Sequence, residues 1–274
     1  MIPEHESEPR PPLTFEFAFM TALLAPLCHL LWVIVFQSMG TKLGASAIGM
    51  GAIVTYGALF ALCAVRFRLP PARQLAVVSA PVTAWLAVLF LVPAIVVSSE
   101  LDNVVKSLYP PQPLPLLGKV TPEPPFLGAA LAMLFVGVYP LVHNVFFRGM
   151  LQPLATARLG VVLGVIVTSL FSAFAAAFIP SLDSGFWPMA PAVANALMLC
   201  ILRQCSGSLL PPLALEALWG VVQVCATYQI FGLAGFDGSG SHTPANWVVA
   251  CGVLTVVGLL LCRAAARSSS PAQG

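Results

Sequence analysis

Of 274 residues, 59% are hydrophobic and only 8% charged, with a formal net charge of +2 and a mean hydropathy of +0.94. That balance excludes a water-soluble domain. With no basic aromatic patch and no phosphate-cradling glycine loop, it gives no support to nucleic-acid binding. A helix needs about 20 apolar residues to cross a bilayer, so the length predicts an all-α, polytopic transmembrane bundle.

The first stretch, residues 1–13, is acidic and proline-rich and lacks the basic start and small-residue cleavage site of a secretory leader. The first span is therefore expected to stay attached. Apolar runs bounded by charged or Pro/Gly clusters then predict eight spans: Phe15–Phe36, Ala45–Val65, Leu75–Val97, Leu127–Phe147, Val161–Ile179, Phe186–Leu202, Leu209–Ile230 and Pro244–Leu261. The sixth is short and carries Pro188 and Pro191 near its start, which predicts a kink, a tilt or partial insertion. Four units follow: a polar tail (1–13), N-terminal spans with a proline-rich loop (14–125), a helical core (126–231), and a last loop, span and tail (232–274).

Lys and Arg collect on the cytoplasmic side of membrane proteins. Eight spans put Arg10, Arg66, Arg68, Arg73, Arg148, Arg158, Arg203, Arg263 and Arg267 on one side and only Lys42, Lys106 and Lys119 on the other. Both termini are thus expected in the cytoplasm, with the chain in the cell inner (plasma) membrane. Two exported loops result. Ser98 to Pro125 contains PPQPLPLL and TPEPP, which favour extended polyproline connectors. Gly232 to Asn246 is a turn-rich linker.

The seven cysteines are scattered singly, with no CxxC pair, and read as small buried hydrophobes. No cofactor and no metal is expected, since three-His and Cys-rich ligand sets are absent. Among intramembrane polar residues, His29, Asn195 and Gln223 read as interhelical hydrogen-bonding groups. Glu216 differs. It lies deep in the seventh run, where a lone carboxylate stays neutral or needs a cation from another helix. Asn144 and Arg148 are four apart and share a helical face. His143, Asn144, Arg148 and Glu216 therefore form one candidate cluster where spans four and seven meet.

From about Phe126 to Ile230 the chain resembles the CPBP family, Abi-type bacterial relatives of the eukaryotic CAAX-processing prenyl endopeptidase. The family's first motif has the form EExxxR followed by glycine and commonly LQ. Arg148-Gly149-Met150-Leu151-Gln152 matches it, after His143 and Asn144 in place of the two acids. The second motif sets a His four residues after a Phe, where Ala175 or Ala176 stands. The third follows a GSL-type turn and a proline, as in Gly207-Ser208-Leu209-Leu210-Pro211. Glu216 then occupies its His position and Gly220 its Asn position.

The resemblance implies an intramembrane endopeptidase in which paired glutamates activate water and His and Asn assist attack and hold the oxyanion. Here the imidazole and carboxylate of positions 143 and 216 look exchanged, and the second His and the Asn are missing. Water activation needs a base together with donors aimed at the oxyanion. The expected function is a pseudoprotease that binds a hydrophobic transmembrane or C-terminal segment of another membrane protein, or an active paralogue. The alternative is an active peptidase with an exchanged His143/Glu216 site that processes C-terminal tails. A transporter is disfavoured, because the chain shows no matching halves.

Overall fold

The computed structural model describes residues 11–38, 45–67, 77–109, 136–184, 188–227, 235 and 241–268. The proline-rich stretch 110–125, the first part of the fourth expected span, most of the 232–246 loop, and Arg10, Lys42, Arg68, Arg73 and Lys119 lie outside these residues. Every element among the described residues is helical.

Helix α1 (Phe15–Ser38) opens on Thr14, whose hydroxyl accepts the Phe17 N–H at 3.3 Å and so satisfies a first-turn donor. Ala18, Ala22 and Ala25 recur on one buried face. Side chains this small let backbones approach closely, here α2 (Ala45–Arg66) among others.

The third span differs from expectation. It runs Val82–Leu108 instead of Leu75–Val97, as α3 (Val82–Leu91) and α4 (Ala94–Leu108). Pro93 breaks the ladder between them, because it has no N–H to donate. Trp219 Nε1 donates across to the Leu91 and Val92 carbonyls at 3.2 and 3.1 Å. Ser98–Leu108, expected in a loop, is helical instead. Its polar residues recur at helical spacing, and Lys106 pairs with Asp102 four residues before it.

Next come α5 (136–144), a π-helical segment (Val145–Leu151) and α6 (Gln152–Leu159). Beyond them lie α7 (Val161–Ser184), α8 (Met189–Ser206), α9 (Leu210–Thr227) and α10 (Ala245–Ser268). In the sixth span the two prolines lie at the helix start. Pro188 is the N-cap of α8 and Pro191 sits in its first turn, where the missing N–H has no partner to lose.

Six helices among the described residues are long and apolar enough to cross a bilayer, and Leu210–Ala226 is a shorter apolar one. The protein is a multi-pass helical membrane protein. Among the described residues, many of the buried side chains gather in two clusters. One gathers Ala22, Ala52, Tyr56, Phe146, Phe147 and Met150 from α1, α2 and the π segment. The other gathers Leu91, Ile95, Leu202, Leu215, Trp219 and Cys262 from α3, α4, α8, α9 and α10. None of the seven cysteines, all of which lie among the described residues, is in a disulfide.

Candidate functional site

Two local features aim the site. The first is the π segment, closed by a Gln152 N–H bond to the Phe147 carbonyl five residues back. Residues five apart diverge on an α-helix, but the wider π turn stacks them. It brings Arg148 Nη1 to 3.4 Å from His143 Nδ1. The second is the turn into α9. Gly207 takes φ 65°, which a residue with a Cβ resists, and its N–H bonds the Arg203 carbonyl at 3.1 Å. Ser208 then caps α9 by accepting the Leu210 N–H at 3.2 Å, and its hydroxyl donates to Val78 O at 2.6 Å. The start of α9, and Glu216 with it, is thereby fixed.

The four candidate side chains converge. Asn144 Nδ2 donates to Glu216 Oε2 and to Pro140 O, the latter at 2.8 Å. His143 Nδ1 lies 3.3 Å from Glu216 Oε1, and Arg148 Nη1 lies 3.6 Å from Glu216 Oε2. His143, Asn144 and Arg148 are buried, and the Glu216 side chain is 17% exposed. A guanidinium and a carboxylate thus face one another between the two apolar clusters. Arg148 is accordingly no flanking loop charge, as its place in the cytoplasmic count assumed. It is 1% exposed and compensated from α9.

Three contributors were not singled out from sequence. Ser172 accepts an Arg148 Nη2 hydrogen bond at 3.2 Å. Thr168 and Ser169, on the same face of α7, bond their own i−4 carbonyls instead. That run of small hydroxyls on one helix face was the available signal. Tyr139 stacks on the His143 ring at 5.1 Å and Tyr56 meets it edge-on at 5.4 Å. Both read as ordinary apolar-span aromatics. Gln152, within the quoted first motif, donates to Cys200 O at 2.9 Å and fastens the end of the π segment to α8.

At the remaining motif positions the side chains have other work. Ala175 is buried in the first apolar cluster. A Cβ on Gly220 would meet Val136 Cγ2 at 3.0 Å, so α9 closes directly on α5 there. Among the described residues, no three His, Cys, Asp or Glu side chains gather as a metal site requires.

Residues 124–222, which include all four converging side chains, match the family described as type II CAAX prenyl endopeptidase Rce1-like. The match is consistent with the CPBP resemblance of the motifs. No curated protein and no solved structure matches the chain.

Proposed function

We propose that this Rce1-like membrane protein holds a hydrophobic transmembrane or C-terminal segment of another membrane protein, or an active paralogue, without cleaving it. The observation that carries this reading is the engagement of Glu216. Its Oε2 accepts from Asn144 and faces Arg148, and its Oε1 faces His143. Both carboxylate oxygens are already engaged by these groups, so neither is left open to receive a substrate water. Gly220 and Ala175 offer no donor to a developing oxyanion. Buried polar sets of this kind more often fix structure than catalyse.

The protein sits in the cell inner membrane with both termini in the cytoplasm, in keeping with the arginine-rich flanks of its spans. The test is peptide release from a candidate membrane substrate by purified protein in lipid nanodiscs. No release is expected. Release that disappears in Glu216→Gln would contradict the reading.

A second reading rests on one atom. His143 Nε2 has no hydrogen-bond partner among the described residues, and an imidazole whose other nitrogen faces a carboxylate is oriented as a base. An active peptidase with this exchanged pair would lose processing in His143→Ala and in Glu216→Gln at unchanged protein abundance. Loss of abundance in step with processing would instead mark the pair as structural.

A further inference from the structure

His143 presents a choice that its surroundings resolve. Its Nδ1 lies 3.3 Å from Glu216 Oε1 and 3.4 Å from Arg148 Nη1. One nitrogen cannot donate to the first and accept from the second. A proton on Nδ1 gives the carboxylate its donor and keeps the cluster neutral, with one guanidinium set against one carboxylate. Nε2 is then a bare acceptor. On the facing ring, the Tyr56 hydroxyl also lacks a hydrogen-bond partner among the described residues. Tyr56 is 0% exposed and His143 2%. Among the described residues no bond offsets the desolvation cost of either atom. Two such atoms on adjacent rings, walled by Tyr139 and Phe147, are suited to a partner that comes and goes.

We infer that Tyr56 Oη and His143 Nε2 form a main-chain-reading site, in which the hydroxyl donates to a peptide carbonyl and the imidazole accepts a peptide N–H. This rests on the proposed role of holding a hydrophobic segment, and narrows it to the part of the segment that is read. A lipid acyl chain offers neither donor nor acceptor. An intact helix keeps its amides bonded internally, while its end leaves free N–H or C=O groups. The occupant is therefore an end or an unwound stretch of an apolar peptide, packed against the aromatic rings. Because both side chains are closed over, binding must part α2 from α5.

The test uses the full-length protein in nanodiscs, a synthetic apolar peptide with a free C-terminal end, and an alkyl probe of matched length without amides. Tyr56→Phe removes one hydroxyl and keeps the ring. It is expected to weaken peptide binding about tenfold, to leave alkyl-probe binding unchanged, and to leave the thermal midpoint unchanged or raised. Equal peptide binding by the variant would overturn the inference and leave the holding role standing. So would a lowered midpoint, which would reveal a resting partner for the hydroxyl, or equal weakening of the alkyl probe. Failure of the unsubstituted protein to bind the peptide would overturn both.

Discussion

Glu216 and Glu100 each have a histidine and an asparagine within reach, and the two sets occupy different settings. Glu100 accepts the Thr243 N–H at 2.8 Å and Asn103 Nδ2 at 3.3 Å, with His242 Nδ1 2.7 Å from its other oxygen. Asn103 also donates to Gly235 O at 2.7 Å. His242 is 53% exposed, so water can replace its contact with Glu100, while Asn103 and Thr243 are buried. The set clasps α4 to the chain leading into α10. At Glu216 the histidine is buried, with His143 at 2% exposure. The partners of Glu216 include a buried guanidinium, and removing either charge strands the other. The same residue types make a tether where the histidine is exposed and a lock where the histidine is buried and a buried guanidinium faces the carboxylate.

The largest effect should come from breaking the interior set on one side. Glu216→Gln leaves Arg148 buried without its countercharge and is expected to cost about 3–5 kcal/mol in reversible unfolding. Replacing both partners, Arg148→Met with Glu216→Leu, should recover most of that loss. A double variant as unstable as the single would show that the charges were not each other's partners. Next comes Gly220→Ala. Its new Cβ meets Val136 at 3.0 Å and should cost about 1–3 kcal/mol by overpacking. No loss would mean that α9 and α5 are looser there than the geometry shows.

Trp219→Phe should cost about 1 kcal/mol, since it removes the donor that serves the Leu91 and Val92 carbonyls at the Pro93 break. The smallest effect is expected at the set whose histidine is exposed. Glu100→Gln should change unfolding by less than about 1 kcal/mol. A loss as large as that of Glu216→Gln would erase the contrast between the two sets.

Much of this was legible in the sequence, because the bilayer imposes a length and a polarity rule on every span. The four site residues were legible for the same reason. Polar side chains in an apolar run have to find one another, and His143, Asn144, Arg148 and Glu216 do. The π turn was not legible. Spacing on an α-helix pairs Asn144 with Arg148, and only the wider turn brings His143 onto Arg148. Ser98–Leu108 was read as loop because its polar residues lower local hydropathy, although their spacing is helical. Tyr56 was hidden by its surroundings: a tyrosine in an apolar helix looks like core until its hydroxyl is found without a partner among the described residues and its ring against His143.

The central claim is that the imidazole at 143 and the carboxylate at 216 face each other and lock α5 and the π segment to α9. The most direct measurement is a double-mutant cycle on unfolding in micelles, with His143→Glu, Glu216→His and the two together. The account predicts that each single change destabilises and that the double exchange recovers at least about 1 kcal/mol of the summed loss. Losses that simply add would mean that the two positions do not speak to each other, and would contradict it.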